Sequence, residues 1–173
     1  MIKIATQADA GSLASLAKRL WPESNIEELR NEFIAFTAPR DLNNRCFLAL
    51  AGALPVGFAH VSVRYDFVEG CDHTPVCYLE GIFVREAYRG QGLGKALVKG
   101  AEDFGLTRGC REFAADCALD NGVGAQFHAA MGLTEVGRII CFKKDISTAA
   151  TVSAGAIIDD RPICEIPDGS TKE

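Results

Sequence analysis

The strongest constraint on how this chain folds is a glycine-punctuated loop, Tyr88-Arg89-Gly90-Gln91-Gly92-Leu93-Gly94-Lys95, set between a strand-like run and a helix-like run. The run before it, Val76-Cys77-Tyr78-Leu79-Glu80-Gly81-Ile82-Phe83-Val84, is rich in β-branched and aromatic residues, as a strand buried on both faces is. The run after it, Leu93 to Phe104, places Leu93, Ala96, Leu97, Ala101 and Phe104 on one helical stripe, with Lys95, Lys99, Glu102 and Asp103 largely off it. The loop therefore opens a helix. Glycines let a ligand approach the backbone closely, and the unpaired N–H groups of the first helical turn, with the helix dipole, favour an anion such as phosphate. Arg89 and Lys95 add positive charge at the same place.

Spacing narrows the choice of phosphate ligand. A P-loop requires GxxxxGK[ST], but Lys95 is followed by Ala96 and no glycine stands five residues before Gly94. A dinucleotide GxGxxG requires glycine where Lys95 stands. What remains is Arg-x-x-Gly-x-Gly at Arg89, Gly92 and Gly94, which resembles the pyrophosphate-binding signature of the Gcn5-related N-acetyltransferases, enzymes that use acetyl-CoA. The alternative is a plain strand-to-helix turn, because short glycine motifs recur by chance.

At 173 residues the chain is long enough for one domain with a sizeable core. Its 48% hydrophobic and 24% charged residues are ordinary for a soluble globular protein. No run approaches the roughly 18 apolar residues of a membrane span, and no secretory signal is evident at the N-terminus, so no membrane partner and a cytoplasmic location are expected. Seven cysteines (46, 71, 77, 110, 117, 141 and 164) make an odd set without a CxxC pair, which favours reduced, mostly buried thiols over disulfides or zinc. His60 and His73 have no partners at metal-ligand spacing, and no metal is expected. The net charge of −5 argues against a nucleic-acid partner and is compatible with a cationic substrate.

Residues 2–6 read as a strand, and Asp9 as the cap of a helix with Leu13, Leu16, Ala17 and Leu20 on its apolar stripe. Ser24 and Glu27 have capping-box spacing before a second helix that buries Ile26, Leu29, Phe33 and Phe36. Cys46–Ala51 and Val56–Arg64 read as strands of a hairpin joined at Gly52-Ala53-Leu54-Pro55. Residues 65–75 form an acidic loop. Beyond the glycine-motif helix, residues 111–118 read as a strand, Asn121–Met131 as a helix closed by Gly132, and Val136–Lys143 as a last strand. This order, α/β in content (α+β in arrangement), matches the Gcn5-related fold, a mixed central sheet flanked by helices, and not a regularly alternating doubly wound sheet. The acetyltransferase domain is expected over residues 1–146. Residues 147–173 form a C-terminal extension that reads as an extra hairpin, a dimer arm or a partly disordered tail.

The resemblance extends to a family. Trp21-Pro22, the loop from Tyr65 to Pro75, Leu79-Glu80-Gly81-Ile82-Phe83-Val84, Gly109 to Asp116, His128-x-x-Met131-Gly132 and Lys143 are similar to blocks of the aminoglycoside 6'-N-acetyltransferases. The resemblance covers residues 1 to about 145 and implies acetyl transfer from acetyl-CoA to an aminoglycoside amine, a role in antibiotic resistance, and a homodimer. An aminoglycoside is a polycation whose amine must lose a proton to attack, so carboxylates are needed to hold ammonium groups and to take a proton. Glu80 and Asp116 stand in apolar strand-like runs, where a carboxylate is costly to bury unless paired or lining a cavity. The resemblance places Glu80 beside the reacting amine, as general base through a water and as a substrate contact, and makes Asp116 a substrate anchor. The alternative for each is a solvent-facing carboxylate or an ion pair with Arg111 or Arg64.

The same resemblance puts Trp21 and the loop residues Tyr65, Asp66 and Phe67 beside the sugar rings. Phe67 replaces a tyrosine of some relatives, and Trp21 fits a core role as well. Asp66 could draw in the polycation, whereas Glu69 and Asp72 read as solvated. Ile82, Phe83 and Val84 would pair with the pantetheine arm as an added strand, and Arg89, Gly90, Gln91, Gly92, Leu93, Gly94 and Lys95 would hold the pyrophosphate. Asn121 reads either as a contact to the arm or as an N-cap. His128 stands where the wider superfamily places a proton donor for the departing thiolate, and its alternatives are packing and cofactor contact. None of the cysteines reads as a nucleophile; Cys77 and Cys117 look buried and inert. Competing acceptors are a polyamine, another small amine or a peptide, and a competing class is a non-catalytic protein that binds aminoglycoside or acetyl-CoA.

Overall fold

Strands at Ile2–Ile4 (β1), Asn44–Ala51 (β2), Leu54–Arg64 (β3), Val76–Val84 (β4) and Glu112–Ala115 (β5) line up in chain order in one sheet. The first four run antiparallel to their neighbours, and β5 joins β4 in parallel, so the sheet is mixed as expected. The helices are Ala10–Leu20 (α1), Ile26–Phe36 (α2), Leu93–Thr107 (α3) and Gly122–Ala130 (α4). The computed structural model describes residues 1–145.

Apolar periodicity decides which face each helix covers. The stripe Leu13, Leu16 and Ala17 of α1, with Leu29 and Phe33 of α2, packs on Cys46, Leu48 and Phe58. On the opposite face Leu97, Ala101 and Phe104 of α3 bury Phe47, Ala49, Val61, Val63, Cys77 and Leu79. Alternation along β3 therefore sends Val61 and Val63 to the α3 side and leaves His60, Ser62 and Arg64 on the other. At 2 residues the β2–β3 connection, Gly52-Ala53, is shorter than expected, and Gly52 takes φ +60°, a conformation suited to a tight hairpin.

Four expectations about local structure are refined or corrected. Asp9 stands at the N-cap position of α1 as expected but makes no side-chain cap bond there; its carboxylate accepts from Thr6 N at 2.9 Å and from Lys3 Nζ at 2.7 Å, closing a 3-10 turn over Gln7–Asp9. Asn25, not Ser24, caps α2, its Oδ1 accepting from Glu27 N at 2.8 Å and Glu28 N at 3.3 Å. Ile26 is 44% exposed, so the buried side of α2 starts one turn later, at Leu29. No strand forms over Val136–Lys143 among the described residues: Val136, Ile139, Ile140 and Phe142 are exposed, and β propensity without a neighbouring strand leaves the backbone groups unpaired. Gly132 does end α4, with φ +92°. Met1–Arg138 make up one compact unit. The extension 147–173 and Cys164 lie outside the described residues.

Candidate active site

The site begins with a register fault. Between β3 and β4 the pairing passes from Val61 with Leu79 to His60 with Gly81, so Glu80 is the extra residue of a β-bulge. Pairing of β4 with β5 stops at the same level, at Leu79 with Ala115, while β4 runs on to Val84. Past Glu80 one edge of β4 is still held by β3, through Gly81, Ile82, Phe83 and Val84, and the other edge has no strand beside it among the described residues. That edge offers backbone donors and acceptors to an extended amide-bearing ligand.

Glu80 is tightly held. Its Oε1 accepts from Ser62 Oγ, from Arg64 Nε at 3.1 Å and from Arg64 NH2 at 2.9 Å, while Oε2 accepts from Arg64 NH2 at 2.8 Å. The ion pair with Arg64 named as an alternative is thus present, with the Glu80 side chain 26% exposed. The Arg64 guanidinium lies 3.4 Å over the Tyr78 ring, and the Tyr78 hydroxyl donates to Asp116 Oδ1. Burial, with the bond to Asp116 and its charge, pushes the Tyr78 phenol well above its usual range, so it stays a donor. Asp116 is exposed immediately beyond β5. Both expected carboxylates therefore belong to one chain of contacts, Glu80–Arg64–Tyr78–Asp116.

Trp21, at the end of α1, reaches this chain through Gly81. A Cβ on Gly81 would lie 2.7 Å from the indole ring, so only glycine leaves room for it there. The same indole packs edge-on against Phe58, ring centroids 6.2 Å apart, so Trp21 belongs to the core and also lies against Gly81, next to Glu80. The loop after β3 leaves Tyr65, Asp66 and Phe67 exposed, Phe67 at 81%. It is tethered by Val68, buried with Val76 and Tyr78, and by Glu112, which accepts from the N–H groups of Asp72 and His73 at 3.1 and 2.7 Å.

On the anion side, the backbone N–H groups of residues 90–95 have no protein acceptor among the described residues. Gly90 and Gly92 make this possible, with φ +73° and +77° turning the chain into α3. Arg89 does not reach freely outward; its Nε donates to Val84 O at 3.0 Å, tying the loop to the end of β4. Lys95 and Gln91 are exposed, and Gly94 lets Phe127 of α4 approach α3. Asn121 is the N-cap of α4, accepting from Gly124 N at 2.9 Å. His128 has a buried Nδ1 without a partner, and burial pushes its imidazole below the ordinary range against the pull of the Asp116 charge and carbonyl. The net effect of the surroundings is to favour the uncharged ring.

The buried thiols of Cys46 and Cys77 are poor nucleophiles. Burial pushes Cys46 and Cys77 up to about 12. Cys117 is only half-buried, which corrects the expectation for it. Among the described residues no group of three or more His, Cys, Asp or Glu side chains is placed to hold a metal ion. Sequence reasoning missed Ser62 and Tyr78 and saw Arg64 only as a possible ion-pair partner. The available signal was the polar alternation His60, Ser62, Arg64 along an otherwise apolar strand.

A sequence model of the acetyltransferase (GNAT) family matches residues 11–133. The chain is 41% identical over 98 residues to an aminoglycoside N(6')-acetyltransferase type 1 of Salmonella typhimurium, covering 57% of this chain and 68% of that one. It is 34% identical over 152 residues to the enzyme of that name from Stenotrophomonas maltophilia, covering 86% and 95%. Among solved structures it resembles AAC(6')-Iy in complex with the bisubstrate analogue CoA-S-monomethyl-acetylneamine, with TM-score 0.76, 32% identity and coverage of 84% and 98%. It also resembles the aminoglycoside 6'-N-acetyltransferase AAC(6')-Ih of Acinetobacter baumannii, with TM-score 0.78, 31% identity and coverage of 85% and 99%.

Proposed function

The chain belongs to the acetyltransferase (GNAT) family, and from that premise we propose that it transfers the acetyl group of acetyl-CoA to the 6'-amino group of an aminoglycoside and so confers resistance. The observation that carries this reading is the coincidence of three features at one level of the sheet. Glu80 bulges out of β4, β5 stops pairing there, and the free edge Gly81–Val84 leads on to the unpartnered N–H groups of residues 90–95. The free edge suits the amide-bearing arm of acetyl-CoA, and the glycine loop with its helix N-terminus suits the pyrophosphate. The bound cosubstrate supplies an activated acetyl group on sulfur.

The chain's own residues do the rest. Glu80 accepts the proton that the attacking amine must lose, directly or through a water, and Asp116 holds a second ammonium group. Trp21 borders the sugar rings on one side, and Tyr65, Asp66 and Phe67 on the other. Asn121 adds a contact to the cofactor arm beyond its capping role. His128, uncharged, lies near Asp116 and contributes by packing. A homodimer and a cytoplasmic location complete the reading. The first is supported by β5 as an edge strand without an outer partner among the described residues, the second by free thiols among them.

The test is thiol release from acetyl-CoA with purified protein, comparing neomycin with paromomycin, which carries a hydroxyl in place of the 6'-amine. Release with neomycin alone is expected. Release with both moves the site to another amine, and release with neither points to a polyamine, a peptide or a non-catalytic role.

Substitution of Gly92 by Val tests the cofactor half. At φ +77° a β-branched side chain is strained, and the substitution disturbs the turn that presents the free N–H groups. The KM for acetyl-CoA is expected to rise by about tenfold or more, as loss of one or two charge-assisted hydrogen bonds implies, while the KM for neomycin changes little. An unchanged acetyl-CoA KM in a folded variant would remove the loop from the cofactor site.

A further inference from the structure

We propose that Arg64 is a positioning residue of this site, fixing which oxygen of Glu80 receives the proton while opposing the binding of the cationic substrate. The inference rests on the reading of Glu80 as the base. Oε1 of Glu80 already takes donors from Ser62 Oγ, Arg64 Nε and Arg64 NH2, whereas Oε2 takes only one, from Arg64 NH2 at 2.8 Å. A carboxylate offers about two acceptor directions on each oxygen, so Oε1 is filled and the open direction is on Oε2. The guanidinium offers donors in a planar fork and no acceptor, so Arg64 orients the base without competing for the proton of the amine.

The guanidinium is itself fixed. Its plane is carried 3.4 Å over the Tyr78 ring, and Tyr78 is held in turn by its bond to Asp116 and by burial with Val68 and Val76. Rotation of Glu80 away from its present direction would break the two-pronged pair, so Arg64 gives the carboxylate one geometry. Ser62 and His60 of β3 and Tyr78 of β4 also bear on the pair, while Asp116 is held on the Tyr78 hydroxyl, His128 of α4 lies near Asp116, and Trp21 of α1 packs on the neighbouring Gly81. Glu80 and Asp116 bring two negative charges and Arg64 returns one positive charge, at the place where an ammonium group must dock. Removing Arg64 therefore loosens the base and strengthens the attraction for substrate at the same time, a combination that a merely structural arginine would not produce.

Steady-state kinetics of the full chain with neomycin and acetyl-CoA test this in Arg64→Gln and Arg64→Lys. Arg64→Gln is expected to lower kcat by about 10- to 100-fold with the KM for neomycin unchanged or lower, the mark of an interaction used in the transition state. Arg64→Lys keeps the charge but not the fork, and should retain the parental KM with kcat between the two. If Arg64→Gln does not fold, Arg64→Lys alone decides, parental kcat overturning the proposal. In the double variant with Glu80→Gln the two losses should fail to multiply. A kcat for Arg64→Gln within about twofold of the parent, or multiplying losses in the double variant, overturns the role of Arg64 and leaves Glu80 as base. Parental turnover in Glu80→Gln alone would remove the base reading itself.

Discussion

Glu80→Gln is expected to lower kcat by about 100- to 10,000-fold, the range over which a positioned proton acceptor acts, with acetyl-CoA affinity close to parental. The asymmetry follows from what each part of the site is made of. In the proposed site, affinity for the cofactor comes from the β4 edge and from the N–H groups of residues 90–95, all backbone, which a side-chain change at residue 80 leaves in place. The carboxamide keeps the size of the carboxylate but turns one acceptor into a donor facing Arg64, so it neither takes a proton nor keeps the two-pronged pair. Calorimetric titration with acetyl-CoA and thiol release with neomycin, on the same preparation, separate the two effects. Parental turnover would place the base elsewhere, with Asp116 the next carboxylate in the chain of contacts. The loss should shrink as the pH rises toward the ordinary range of the amine, where less of the substrate needs deprotonating.

What sequence discloses about such a site depends on whether the signal is local. The strand, loop and helix from Val76 to Thr107 are written in consecutive residues, as β-branched content, then glycines, then a helical stripe, and they appear where expected. Glu80 stood out because a carboxylate in an apolar run needs a reason. The bulge that turns it outward is a property of pairing between two strands, and no residue of β4 alone announces it. The contacts of Arg64 with Glu80 and of Tyr78 with Asp116 span 16 and 38 residues and join through cross-strand register, which composition does not encode. The strand expected over Val136–Lys143 failed for the same reason in reverse. Its residues have the propensity, but a strand is a pairwise object and they find no partner among the described residues. At the start of α2 the capping side chain is that of Asn25 and not the expected Ser24, whose N–H closes a turn onto Trp21 O at 3.2 Å one residue before the helix is capped.

The second large effect is on stability and lies behind the same bulge. His60 is 6% exposed, stacked on Phe36 at 4.5 Å between ring centroids, with Nε2 2.9 Å from Asn44 Oδ1. Burial pushes its imidazole down to about 4, with the charges of Glu80 and Asp41 opposing. The unfolded chain titrates this group near 6.5, so between those values it binds a proton that the folded state refuses. Stability carried by the uncharged ring is therefore complete above the unfolded value and lost as the pH falls toward the folded one. The loss between pH 7.5 and pH 5 is expected to be about 2 kcal/mol from this one residue. Urea unfolding at the two pH values checks it against His60→Gln, which keeps a donor for Asn44 and cannot titrate. The variant should be less stable at pH 7.5, having lost the stacked ring, yet should lose about 2 kcal/mol less on acidification. Equal acid losses in parent and variant would mean that His60 protonates without cost and is less enclosed than its packing implies. Because His60 pairs with Gly81, next to Glu80, this acid-sensitive point of the fold sits beside the proposed proton acceptor. Acidification then weakens the scaffold at the place where catalysis needs it rigid.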